Sequence, residues 1–264
     1  PRGVPVTATT PPPLDAHRRF EAYLVGVATR FVHLPGDEVQ GGIGRTLEGL
    51  LEALEVDRCS LSLFDESTPS PRPDFYATRP GVPPPPTLEE LASALPWYLA
   101  QVRAGKRLVF LDLPDGIPPE AGGERDLVAR SGMRSHVSVP MRVGGETQGA
   151  LGCATFRERR DWDAHLVSRL ELLADVFGSA LHRRDADARL RAAEALNQSI
   201  LASVPDPILV VDDRGRVIAR NDAWAEAAER GHFLQVAVGQ EATAVADWQH
   251  VLDTCAGDQQ TFLQ

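Results

Sequence analysis

The chain has 264 residues, 43% of them hydrophobic, with 37 acidic against 27 basic side chains and a formal net charge of −10. That length allows one large domain or two smaller ones with real cores, and the apolar share excludes disorder throughout. The acidic balance repels phosphate backbones and anionic bilayers, so nucleic-acid and membrane-surface binding are not expected.

No apolar run approaches the roughly 18 residues needed to span a bilayer, and the start lacks a signal-peptide pattern. A first residue of Pro1 suggests excision from a longer protein. The three cysteines, Cys59, Cys153 and Cys255, are far apart. Such usage fits a reducing cytoplasm and offers neither a disulfide framework nor a metal signature.

Residues 1–13 are rich in proline and threonine and read as a flexible lead-in. Phe20, Tyr23, Leu24, Val27, Phe31 and Leu34 form one apolar stripe at helical spacing, ended by Pro35-Gly36. A second helix is expected over 37–55, with Val39, Ile43, Leu47, Leu50 and Leu54 on one face. Period-two alternation predicts a strand from Cys59 to Phe64, a turn-rich loop over 65–73 and a short strand over Asp74–Thr78. The proline run in Gly81–Thr87 must be an extended surface loop. Then come a helix over Leu88–Ala104, a strand over Arg107–Leu111 and a helix over Pro118–Ser131.

Strands Ser135–Val143 and Thr147–Phe156 form a hairpin through Gly144-Gly145-Glu146, where glycine can take positive φ. Beyond Asp161-Trp162 a long helix should reach about Ser203. Strands flanked by helices in this order favour an α+β fold with an antiparallel sheet. A second unit starts at Pro205, with short strands Ile208–Val211 and Arg216–Ala219 around the Asp212-Asp213-Arg214-Gly215 turn, and Asn221 as an N-cap.

The first unit resembles a GAF domain over roughly residues 14–182. The resemblance rests on Phe31-Val-His-Leu-Pro35, Val56-Asp-Arg-Cys-Ser60, Leu95-Pro-Trp-Tyr98, Gly132-Met-Arg-Ser135, Val139-Pro140, Gly149-Ala-Leu-Gly152 and Arg160-Asp-Trp162, taken in order. It implies a central antiparallel sheet of about six strands, helices on one face and a ligand cavity on the other. Leu201-Ala-Ser-Val-Pro-Asp206 and Ile208 to Ile218, followed by Asn221, resemble the start of a PAS domain, truncated or degenerate, giving a partial PAS-like α/β unit. The pair is similar to sensor histidine kinases, whose phosphoacceptor helix and ATP-binding module, the output half, do not occur in this chain. The expected organisation is lead-in 1–13, GAF-like domain 14–181, connecting coiled-coil helix 182–204 and PAS-like unit 205–264.

A ligand site would use Trp97 and Tyr98 from the segment capping the sheet, with Phe110, Ser135, His136 and Ser138 from the strands. The plainer alternative makes the aromatics core residues and the serines strand-edge residues. Haem ligation by His136 is a minor possibility; His33, His165 and His182 need no more than solvated roles. Bilin-binding relatives attach the chromophore through a cysteine beside histidine. No cysteine here has that neighbour, so covalent bilin is not expected. Phe64-Asp65-Glu66 echoes part of a cyclic-nucleotide pattern in the wrong strand and reads as a turn. Cys59 and Cys153 read as small buried hydrophobes. No catalytic constellation or metal-ligand spacing can be assembled.

On the long helix, Leu170, Leu173 and Phe177 form one seam. Leu190, Ala193, Asn197 and Ile200 form another, one residue out of register. Together they suggest a parallel homodimeric signalling helix; the plainer reading is a helix covering its own sheet to residue 181. The overall expectation is a cytoplasmic, homodimeric, non-catalytic sensory module with an unknown small-molecule ligand. The alternatives are a ligand-free dimerisation scaffold and a GAF-fold thiol enzyme using Cys59 or Cys153.

Overall fold

The structure is a computed structural model that describes residues 14–64, 75–212, 216–231 and 238–239, with the side chains of 14–19, 88 and 91 left out. The expected lead-in, the 65–73 loop, Asp65, Glu66 and Cys255 lie outside the described residues. Two compact units meet in sequence at Asp187 and Ala188.

In the first unit, α1 (Leu14–His33) and α2 (Val39–Ala53) are separated by a single 3-10 turn at Gly36–Glu38. The sheet contains β1 (Arg58–Leu63), β2 (Phe75–Thr78), β3 (Leu108–Phe110), β4 (Ser135–Val143) and β5 (Glu146–Thr155). All pairs are antiparallel in the order β2-β1-β5-β4-β3. The described residues therefore carry five sheet strands in this unit, where the resemblance implied about six. Gly144 and Gly145 take φ of 62° and 89°, as a two-residue hairpin with right-handed strand twist requires.

The expected single helix over Leu88–Ala104 is two helices, α3 (Leu88–Ala94) and α4 (Pro96–Arg103). The break falls at Leu95, whose φ −132° and ψ 51° are non-helical. The following proline ring disfavours helical geometry there, while Pro96 itself is well placed to start the next helix. Likewise Pro118–Ser131 resolves into a 3-10 turn at Pro119–Ala121 and α5 (Gly122–Ser131), which ends at left-handed Gly132.

The main core lies on one face of the sheet. Phe20, Val27 and Phe31 of α1, Ile43, Leu47 and Leu50 of α2 and Leu166, Leu170, Leu173 and Phe177 of α6 (Ala164–Ser203) pack on it. They meet Cys59 and Leu61 of β1, Val137, Val139 and Met141 of β4, and Leu151 and Cys153 of β5. Phe31 and Phe177 touch edge to face at 5.3 Å between ring centres. Gly178 permits α6 to approach the sheet closely, because a Cβ there would meet Met141 and Val143 side-chain carbons at 3.0 Å.

Leu170, Leu173 and Phe177 are buried in their own chain's core, which corrects their assignment to a dimer seam. The same three-four spacing serves any apolar surface, and the sheet is the surface they cover. Beyond residue 187, Leu190, Ala193, Asn197 and Ile200 are all exposed.

Within the second unit, β6 (Leu209–Val211) and β7 (Val217–Arg220) pair antiparallel, and α7 spans Asp222–Glu229. Asn221 caps α7 as expected and does more. Its Oδ1 accepts from the N–H groups of Trp224 at 3.0 Å and Ile208 at 2.8 Å, while Nδ2 donates to the carbonyls of Val204 and Asp206.

Candidate functional site

Alternation along the strands divides their residues between the two faces. Odd-numbered positions of β1, β4 and β5 enter the helix-side core, so even-numbered positions face the other way. On that second face the central strand β5 presents only small residues over its buried stretch, Ala150, Gly152 and Ala154. α4 and the segments around it stand over this floor and leave a cavity with about 710 Å³ of empty space, including its open mouth.

Its walls are mostly apolar. Trp97 and Tyr98 come from α4, Phe110 from β3 and Leu113, Ile117, Val128 and Met133 from the 113–133 region, with Pro85 and Pro86 closing one side. Trp97, Phe110, Val128 and Met133 pack on a satellite cluster of Leu113, Ile117 and Ala121. The polar groups converge from fewer places: Arg58, Ser60 and Ser62 on β1, His136 on β4, Tyr98 on α4 and Glu124 on α5.

Four of the six expected ligand residues line this cavity: Trp97, Tyr98, Phe110 and His136. Ser135 does not. Its parity turns it to the helix side, where Oγ bonds Thr155 Oγ1 at 2.6 Å and accepts from Arg160 N–H at 2.8 Å. Ser138 has the cavity-side parity but is buried beside Tyr98 and does not reach the open volume. Its hydroxyl has no hydrogen-bond partner of good geometry.

Tyr98 Oη and His136 Nε2 share a hydrogen bond of 3.1 Å, with the rings tilted 50°. Gly152 leaves room for the imidazole, since a Cβ there would sit 3.2 Å from His136 Cε1. Burial first, and the nearby Arg58 charge second, push the His136 pKa down to about 3. The ring is therefore neutral at ordinary pH. Burial likewise raises the Tyr98 pKa.

Sequence reasoning missed two residues. Glu124, only 6% exposed, reaches from α5 to the start of α4, and its Oε1 accepts from the N–H groups of Trp97 at 2.6 Å and Tyr98 at 3.3 Å. It supplies the cap that Leu95 cannot, and so positions both aromatics. Arg58, also 6% exposed, donates from Nη1 to the carbonyls of Pro83 and Pro84 at 3.1 and 3.2 Å and stacks over Phe156 at 4.9 Å. The only signal for Arg58 was a cation at the head of an alternating strand; for Glu124 there was none.

Cys59 and Cys153 face the helix-side core, directly opposite one another across β1 and β5, with sulfurs 3.4 Å apart. Burial, and then the neighbouring Cys153 sulfur, push the Cys59 thiol well up. This matches their reading as buried hydrophobes and places both thiols on the wrong face to attach a chromophore in the cavity. A haem iron would need an imidazole nitrogen turned to open space; Nε2 of His136 is engaged with Tyr98 and Nδ1 is buried, so the arrangement does not fit one. Among the described residues no group of three His, Cys, Asp or Glu side chains could hold a metal ion. His33, His165 and His182 are exposed. No described helix is long and apolar enough to cross a membrane.

No curated protein matches the chain. Among solved structures it is similar to the phycoerythrobilin-bound GAF domain of a cyanobacterial phytochrome, at 16% identity and TM-score 0.52, over 64% of this chain and 97% of that one. A phycocyanobilin-bound GAF domain, also of a cyanobacterial phytochrome, matches at 15% identity and TM-score 0.52, over 63% and 96%. A free methionine-R-sulfoxide reductase from Neisseria meningitidis, in complex with its substrate, matches at 16% identity and TM-score 0.47, over 70% of this chain and 98% of that one. The GAF domain family profile matches residues 43–181, from within α2 to the middle of α6. With more than half of its length so matched, and with the sheet and helix arrangement described above, the chain belongs to the GAF domain family.

Proposed function

We propose that this chain is the sensory part of a bacterial signal-transduction protein, in which the cavity between the sheet and α4 binds a small molecule. One observation carries this reading: a mostly apolar cavity with a few convergent polar groups sits on the sheet face opposite the main core. A core built for packing alone would fill that space with side chains.

The rest of the proposal follows the chain. The antiparallel pair β6 and β7 and the Asn-capped helix α7 support a PAS-like unit following the GAF domain. A histidine-kinase output beyond it, a cytoplasmic location and a homodimer are parts of the same reading. Leu190 and Ile200, 60% and 53% exposed on one continuous helix, support pairing through residues 190–200. A ligand that shifts α4 or the sheet would bias one of two discrete packings and pass that bias along α6. The thiol-enzyme reading loses support, because both described cysteines are buried away from the cavity.

Native mass spectrometry of the purified chain, compared with its denatured mass, tests the proposal. Extra non-covalent mass on a dimer is the expected result. A bare dimer points to a scaffold that relays without sensing, and a bare monomer removes the dimeric helix.

A further inference from the structure

Arg58 is a buried cation with no counter-charge among the described residues. It is only 6% exposed, yet no carboxylate among the described residues lies within ion-pair distance. Its neighbour on the chain, Asp57, faces elsewhere, accepting from the N–H groups of Phe156 and Arg157. Nη1 is held by the Pro83 and Pro84 carbonyls, and Nε and Nη2 have no hydrogen-bond partner among the described residues. Buried guanidinium groups are normally paired, since removing the charge from water is costly unless a counter-ion compensates. In keeping with this, burial pulls the Arg58 pKa down to about 10.

Arg58 also borders the cavity, at the head of the strand that brings Ser60 and Ser62 to the same face. We propose that Arg58 is the anion-binding subsite of this cavity, and that its ligand is a monocarboxylate with an apolar body. The charge count selects a carboxylate over a phosphate. Among the described residues Arg58 is the one cationic side chain lining the cavity, His136 is neutral, and Glu124 also lines it, so a dianion would meet one positive group and one negative. A planar guanidinium with two free donors matches the two oxygens of a carboxylate. Trp97, Phe110 and Met133 then receive the apolar body, aromatic or aliphatic. The Pro83 and Pro84 contacts hold the guanidinium in place before the ligand arrives, which lowers the ordering cost of binding.

This inference rests on the small-molecule reading above and sharpens it. The test is calorimetric titration and ligand-observed NMR of the full 264-residue chain with benzoate, phenylacetate and octanoate, each beside its uncharged amide, and with phenyl phosphate. At least one carboxylate should bind ten-fold or more tighter than its amide. Arg58→Gln should abolish that preference, and Arg58→Lys should retain part of it. Because Arg58→Gln also releases the Pro83 and Pro84 carbonyls, its amide affinity serves as the internal measure of an intact cavity. Equal binding of acid and amide overturns the Arg58 subsite while leaving the cavity a small-molecule site. A preference for phenyl phosphate over benzoate overturns the monocarboxylate assignment. If no probe of either kind binds, the inference falls, and the native mass measurement alone decides the broader reading.

Discussion

Tyr98 Oη lies 3.1 Å from His136 Nε2, so α4 is tied to β4 through an imidazole that the fold keeps neutral. The unfolded chain takes up a proton at this histidine near its ordinary pKa of 6.5, whereas the folded chain resists until about 3. Protons therefore favour unfolding between those values, and the stability present above pH 6.5 is lost as pH falls towards 3. Between pH 7.5 and 5.0 the loss from this group should be at most about 2 kcal/mol. Denaturant unfolding of wild type and His136→Gln at both pH values checks it. Identical pH slopes would show that the imidazole is not held neutral.

The paired sulfurs of Cys59 and Cys153 should be inert in the folded state, because both are buried and the Cys59 thiol is pushed up. In a chain carrying Cys255→Ser, iodoacetamide at neutral pH should label neither cysteine until denaturant is added. Rapid labelling of the folded chain would contradict this placement. Changing both to alanine should leave ligand binding within two-fold, which a thiol enzyme would not tolerate.

The two halves of α6 should respond differently to truncation. Phe177 is fully buried, and Phe177→Ala should cost about 3–5 kcal/mol by denaturant unfolding. Leu190→Asp with Ile200→Asp should leave the first unit's melting unchanged, since both are exposed. Sedimentation should shift from dimer to monomer in that double variant. A wild type that is already monomeric, or a double variant that stays dimeric, removes residues 190–200 as the interface.

Asn221 holds four backbone groups from three neighbouring segments of the second unit. Asn221→Ala leaves several of them without partners and should destabilise that unit by about 2–4 kcal/mol. Hydrogen exchange should show the β6–β7 strand pair and α7 opening faster, with protection in residues 135–155 unchanged. Equal protection in the variant would mean that the four bonds are not what organises this unit.

Much of the fold was legible because local period and core position coincide. The stripe from Phe20 to Leu34, the alternation after Arg58 and the Gly144-Gly145 turn each have one satisfactory structure. Four cavity residues were legible as well, since aromatics beside a capping segment and a histidine on a strand favour a pocket. Ser135 was not. In Ser135–Val143 both faces are buried, so alternation cannot say which side is the cavity.

The sequence by itself determined most of the elements, their order, the Gly144-Gly145 hairpin and the α+β class, because those depend on residues close along the chain. Only the tertiary structure decided which face of the sheet holds the cavity, and that Leu170, Leu173 and Phe177 cover their own sheet instead of a partner. It alone revealed Glu124 and Arg58 as buried site residues. A charged side chain is expected at the surface. Whether it is instead drawn inside depends on partners such as Pro83 or Trp97, brought to it by folding from 25 and 27 positions away along the chain.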